Sequence, residues 1–310
     1  MKLSFIYIFL LSFVSKSLFA QASILSNGDW YKIGVVESGI FKIDKNFLEK
    51  NNISSNNIDP NKIQVYGSGY NGALPQLNSK SNKINPEEIQ IKIYGNSDDI
   101  FDDNEFIYFY LQSPDKIYFD YESNKVKTEK NIYTDTAYYF IKINGDISRE
   151  INLEKSTSNY DEEVNDVFFN YRYENDFYNI IQSGRFWFGE IFSPGNSINI
   201  PLLEFFIENS KVFLEFGLVS RSTVPSSFTV SVDNSELSTF EMNTIKEGLY
   251  GNKILRQVEN TEYNYLPNSG FINLKYSGNN SAISYLDYID VTGKIELKYS
   301  LAKDLFFYSL

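Results

Sequence analysis

The chain has 310 residues, 42% of them hydrophobic and 17% aromatic, a formal net charge of −12, and neither cysteine nor histidine. The missing histidine excludes Ser-His-Asp and Cys-His catalysis and any His-ligated zinc or iron site, and the missing cysteine excludes disulfides and lipoprotein acylation. The negative charge argues against nucleic acid or an anionic membrane as partner, leaving carboxylate chemistry, Ser-Lys chemistry, an oxygen-ligated metal or no catalysis.

The length suggests about two domains, with ample core for each. Residues 1–20 are read separately. Lys2 is a basic start, Leu3 to Val14 is apolar, and Leu18-Phe-Ala20 precedes Gln21. That is the pattern of a secretory signal peptide, too short in its apolar run for the roughly 20 residues of a membrane span. The expected mature chain is exported and carries no span of its own.

Trp30 to Val36 and Ile40 to Ile43, joined by Glu37-Ser-Gly39, read as a β-hairpin, and Asp44 as the cap of a short helix ending at Lys50. Lys62 to Tyr66 is a strand. The following Gly67-Ser-Gly69-Tyr-Asn-Gly72 matches the dinucleotide pattern G-x-G-x-x-G, but Pro75 and a polar run stand where the phosphate-binding helix should open. A glycine-rich turn is expected instead. Glu88 to Tyr94 alternates cleanly, with Ile89, Ile91 and Ile93 on one face, and Glu105 to Leu111 is expected to be central. Between them Asp98, Asp99, Asp102 and Asp103 form a candidate calcium loop by ligand type. The EF-hand spacing is missed, since Ile100 and Phe101 fall where a ligand and a glycine belong. The alternative is a polar connection in which Asp caps its own backbone.

Ile117 to Tyr121 and Thr136 to Ile143 add strands, and the polar stretch 154–165 reads as a linker. The expected domains are a β-rich region over 23–153 and a second over 166–310. Val167 to Ile181 is aromatic and resists assignment to helix or strand. Beyond it, segments at Lys211 to Val219, Ser227 to Val232, Glu236 to Met242, Lys253 to Val258, Gly270 to Tyr276, Ala282 to Val291 and Lys294 to Tyr299 imply a β-sandwich, with a jelly roll as one form. The fold class expected is mainly β. The chain closes on Leu305 to Leu310, apolar, which fits either a final tucked strand or truncation before a further domain.

One stretch stands out: Ser183-Gly-Arg-Phe-Trp-Phe-Gly-Glu-Ile-Phe192. As a strand it would put Arg185, Trp187 and Gly189 on one face and Phe186, Phe188 and Glu190 on the other. It is either an aromatic strand with ionic ends or a partner-binding surface, since Trp, Tyr and Arg dominate interface hot spots. Arg185, Trp187 and Glu190 are the candidate contact residues.

This stretch, with Gly28 to Ile33, Ser38 to Ile43, Ile58-Asp-Pro60, Gln64 to Gly67, Phe101 to Tyr110, Pro114-Asp-Lys116 and Tyr285 to Ile289, resembles in order and spacing the N-terminal non-catalytic region of the type IX secretion system sortases (PorU). These are gingipain-like cysteine peptidases, and the resemblance covers essentially the whole mature chain. It implies a cell-surface protein at the exterior of the outer membrane. Its partners would be the downstream peptidase domain and a β-barrel anchor protein, and its full-length form would remove C-terminal secretion signals and attach cargo to the surface. The family's catalytic cysteine and histidine lie in a downstream caspase-like domain, so no catalytic residue transfers and no catalysis is expected from this chain. The alternative from another class is a free-standing surface binding module for glycan or protein. Glycoside hydrolysis by paired carboxylates is a third reading.

Overall fold

Apolar residues at every second position make strands, and the computed structural model places them in five antiparallel sheets among the residues it describes, which are 23–55, 57–69, 71–73, 85–95, 98–122, 125–152, 164–202, 206–246, 248, 251–267 and 270–297. The expected signal peptide, nearly all of the expected linker and the apolar end at 305–310 lie outside the described residues. The architecture is mainly β, as the alternating segments suggested. In chain order the first elements are β1 (Asp29–Val35), β2 (Gly39–Asp44), α1 (Lys45–Lys50), β3 (Gln64–Gly67), β4 (Glu87–Ile89), β5 (Lys92–Tyr94) and β6 (Phe106–Leu111). Then come β7 (Lys116–Asp120), β8 (Lys125–Glu129), β9 (Ala137–Ile143), β10 (Asp166–Glu174), β11 (Ile191–Phe192) and β12 (Ser197–Pro201). The last are β13 (Lys211–Ser220), β14 (Ser226–Val232), β15 (Ser235–Met242), β16 (Leu255–Asn264), β17 (Phe271–Gly278) and β18 (Ser284–Glu296).

The chain divides into two compact units. One is Met1–Pro114 with Thr134–Glu154; the other is Asp115–Tyr133 with Lys155–Leu310. The β7–β8 hairpin therefore belongs to the second unit, although it leaves and re-enters the sequence of the first.

The first unit holds sheets β1-β9-β3-β4 and β2-β6-β5 around a core that includes Ile43, Leu48, Ile63, Ile91, Phe101 and Ile107. Two expectations are corrected here. β1 and β2 do not form a hairpin, because β1 pairs along β9 over seven residues while β2 pairs with β6. The alternating run at 88–94 is two strands rather than one, β4 in the first sheet and β5 in the second. The sheet change happens at Ile91, whose N–H and C=O are bonded to Arg149 and Ile151 instead. β6 is central, as expected, but Tyr108 and Tyr110 face solvent. Asp44 caps α1, accepting a 2.8 Å bond from the Phe47 N–H. Gly69 and Gly72 both adopt positive φ, which glycine reaches without strain.

The second unit is a sandwich. Sheet β10-β18-β13-β16, with β11 also on β18, packs across one core from sheet β12-β17-β14-β15. Leu214, Phe216, Ile289 and Val291 on the first sheet share that core with Phe228, Val230, Leu274 and Tyr276 on the second. Each such side chain contributes about 1.5–3 kcal/mol by burial. Of the unassigned Val167 to Ile181, the part up to Glu174 belongs to β10, and the two expected last strands are one long strand, β18. Among the described residues no helix is long and apolar enough to cross a membrane.

Candidate functional site

The outer face of sheet β10-β18-β13-β16 is polar. Register places Arg172 opposite Asp290, Asp290 opposite Glu215, and Glu215 opposite Asn260, a row straight across four strands. Residues directly opposite share a face, so these four side chains stand together, away from the core. Two acidic side chains in direct opposition are unfavourable unless compensated. Arg172 compensates on one side. Its Nε donates to Asp290 Oδ1 at 2.8 Å and its Nη2 to Oδ2 at 2.6 Å, a bidentate pair, while Nη1 lies 3.5 Å from Glu174 Oε2. Tyr288 compensates on the other, its hydroxyl donating to Glu215 Oε1 at 2.8 Å.

The Tyr288 ring carries the Arg172 guanidinium at 4.1 Å from its centroid, a cation–π contact. It lies where a Cβ on Gly217 would stand, 2.6 Å from the ring carbons, so glycine is what admits the ring. Burial pushes the Asp290 carboxyl up, against the hydrogen bond and charge of Arg172. Burial also opposes the Arg172 charge, but the Asp290 hydrogen bond and charge outweigh it and the guanidinium is held more firmly protonated than usual. Burial, then the hydrogen bond to Glu215, pushes the Tyr288 phenol up.

The β7–β8 hairpin covers part of this face. Thr128 Oγ1 donates to Asn170 Oδ1 at 3.1 Å, and Asn170 Nδ2 donates to Thr292 Oγ1 at 2.8 Å. Lys130 Nζ reaches Glu174 Oε1 at 2.5 Å and Asp176 Oδ2 at 2.8 Å. The Phe119 ring lies 6.4 Å from that of Phe168. A cleft of about 330 Å³ remains between hairpin and sheet, with Arg172, Glu215 and Asp290 in its floor and Tyr118, Lys127 and Glu129 in its wall.

The residues singled out in the sequence lie elsewhere. Ser183 to Trp187 is not strand. A turn is stapled by Asn179, which bonds Ser183 N and O, both at 2.9 Å, and by Ser183 Oγ, which accepts from the Arg185 and Phe186 N–H groups. Phe188 bridges Tyr178, and β11 follows. Arg185 and Trp187 are nonetheless exposed while Phe186 and Glu190 are half-buried and Phe188 is buried, the expected division except for buried Gly189. Trp187 is 43% exposed and so is not core; Ile191 of the same motif is exposed, as are Phe177 and Tyr178 ahead of it. Among the described residues Arg185 has no ion pair. Glu190 does not meet it; Glu190 Oε1 accepts from Tyr173 at 2.5 Å and from Asn175 at 2.9 Å. Burial and this carboxylate push the Tyr173 phenol up to about 12.

The acidic loop is not assembled around a common point. Asp98 Oδ1 accepts from the Ile100 N–H at 2.9 Å, Asp103 pairs with Lys45 at 3.0 Å, and the Asp102 N–H donates to Glu105. Asp99 is exposed. Among the described residues no group of three or more acidic side chains is placed to hold a metal ion. The loop is instead anchored by buried Phe101, whose N–H donates to Ile58 O at 3.0 Å.

Reasoning from sequence missed the Arg172–Asp290–Glu215–Asn260 row. A signal was present in Tyr171-Arg-Tyr-Glu174, where charge recurs at every second position, but Arg172 and its partner Asp290 lie 118 residues apart.

No family model matches the chain, and no curated protein matches it. Among solved structures, 89% of the chain superposes on dimeric latent PorU from Porphyromonas gingivalis, with a TM-score of 0.69 and 21% identity. BpGH86A, a β-porphyranase from Bacteroides plebeius, and BuGH86 in complex with neoagarooctaose align at TM-scores of 0.28 and 0.24 with 6% and 12% identity, over 88% and 86% of this chain and 36% and 32% of theirs. Scores that low carry no argument. The chain spans 25% of the PorU chain's length, and what the two share over that span is the fold.

Proposed function

We propose that this chain is an accessory region of a type IX secretion system surface sortase, one that docks or orients a gingipain-like cysteine peptidase domain. The observation that carries the reading is the PorU-like fold over 89% of the chain. The absence of cysteine and histidine agrees with it, since the chemistry would then reside in another part of the protein. On this reading residues 1–20 direct export, and the region works at the cell surface beside a β-barrel anchor. The whole protein removes C-terminal secretion signals and attaches cargo to the surface.

Arg185 and Trp187 are the contact residues of this reading. An exposed guanidinium with no ion pair among the described residues, two positions from an exposed indole, is the composition of an interface hot spot. Glu190 acts from behind, holding β10 through Tyr173 and Asn175.

The test is association of the purified chain with the gingipain-like peptidase domain and with the barrel anchor encoded in the same genome. Binding to at least one is expected. Arg185→Ala should leave the melting temperature almost unchanged yet weaken association by about 2 kcal/mol or more. If the wild-type chain binds neither partner, the accessory reading falls. Equal binding by Arg185→Ala and wild type removes the assignment of Arg185.

A further inference from the structure

The cleft under the β7–β8 hairpin has a lining whose charges cancel. Glu129, Glu215 and Asp290 supply three carboxylates, and Lys125, Lys127 and Arg172 supply three cations. With Arg172 matched to Asp290 and Lys127 turned to Asp120, Glu129 and Glu215 outnumber Lys125, so the cleft disfavours an anion. Several of these groups are already engaged. Both Asp290 oxygens hold Arg172, and Lys127 holds Asp120. A retaining glycosidase needs two carboxyl groups about 5 Å apart with one free to attack. Asp290, pinned by two hydrogen bonds, is not free to do so.

The groups left to meet a ligand are mixed in kind. The Glu129 side chain has no hydrogen bond or ion pair among the described residues, and the Glu215 side chain uses only Oε1, on Tyr288. Asn260 accepts from Lys125 through Oδ1 at 3.4 Å, which leaves its amide N–H groups as donors. Acceptors and donors thus alternate within one cleft. Tyr118 and Phe168 add ring faces, 37% and 38% exposed, to the same lining. A ligand that suits this carries no negative charge, both donates and accepts hydrogen bonds, and offers an apolar face to a ring. A sugar ring does all three. The volume, about 330 Å³, lies at the small end of ligand clefts, which run about 300–1,000 Å³.

We propose that the cleft between the β7–β8 hairpin and the Arg172–Asp290–Glu215–Asn260 row binds a neutral saccharide, with Glu129, Glu215 and Asn260 bonding its hydroxyls and Tyr118 covering one of its faces. The site is separate from the Arg185 patch and does not rest on the docking role.

An array of neutral and anionic glycans probed with the purified full chain, followed by calorimetric titration of the strongest neutral hit to about 10 mM, tests it. Neutral glycans are expected to bind. Asn260→Ala and Tyr118→Ala change partly exposed side chains and should keep the wild-type melting temperature while weakening binding at least about tenfold. Trp187→Ala should leave binding unchanged. An array with no neutral hit, an array with anionic hits alone, or binding that survives both cleft substitutions overturns the proposal. Because Arg185→Ala is read on protein partners and Asn260→Ala on sugars, failure of one assignment leaves the other standing.

Discussion

The two faces of sheet β10-β18-β13-β16 are made by the same four strands, yet they differ in what they require. The inner face is uniform: Leu214, Phe216, Ile289 and Val291 are buried among other apolar groups, and near-isosteric replacements fit such a setting. The outer face is a row of pairs, in which each charged group is tolerated because a particular neighbour answers it. A core loses stability in proportion to volume removed; a buried ionic row loses it when one member is removed and the rest are left unanswered. Stability on one face is therefore distributed, and on the other it is conditional.

That contrast is breakable. Phe216→Ala should cost about 3–5 kcal/mol in chemical unfolding, as a large cavity in a rigid core does. Arg172→Ala should cost about 3 kcal/mol, because it strands the Asp290 carboxylate. Asp290 already has a folded pKa raised by burial, and removing Arg172 raises it further, so the penalty is full at neutral pH and shrinks as pH falls and the group protonates. A double variant, Arg172→Met with Asp290→Leu, should recover most of the loss. If it does not, the pair contributes more than mutual neutralisation.

Gly217→Ala probes where the faces meet along β13. Its Cβ would stand 2.6 Å from the Tyr288 ring, and we expect about 1–3 kcal/mol of destabilisation with loss of the Tyr288–Glu215 bond, visible as a fall in the Tyr288 phenol pKa in an NMR titration. The smallest effect lies in the first unit. Asp44→Ala removes the cap of α1 and should cost about 1 kcal/mol near pH 7. The Lys42 hydrogen bond and then the Phe47 N–H hold the Asp44 carboxyl below its usual range. Its contribution is present above the ordinary carboxylate pKa and is lost as pH falls through the folded value, so wild type and variant should converge in thermal melts below about pH 4.

Much of the secondary structure was legible because it is local. Alternation located β3, β6, β9, β13, β14 and β17 to within a few residues, and Asp44 announced α1. The two-face division of Phe186, Phe188 and Glu190 against Arg185 and Trp187 was also visible, although its physical carrier is a turn stapled by Asn179 and Ser183 rather than a strand. Pairing was not legible. β1 and β2 have the alternation and the short glycine-containing link of a hairpin, yet each finds a longer partner in β9 or β6, and no local signal competes with that. The break of the 88–94 run at Ile91 has the same origin, since Arg149 and Ile151 are distant in sequence.

By itself, the sequence determined which chemistries the chain lacks, that it folds chiefly into strands, and which side chains alternate between faces, because composition and the pleat are properties of the chain alone. Only the tertiary structure decided that the 116–129 hairpin joins the second unit, that Arg172 answers Asp290, and that Gly217 makes room for Tyr288. Those facts depend on register between strands separated by up to about 120 residues, and register is chosen by the summed burial and pairing of whole sheets rather than by any stretch within one of them.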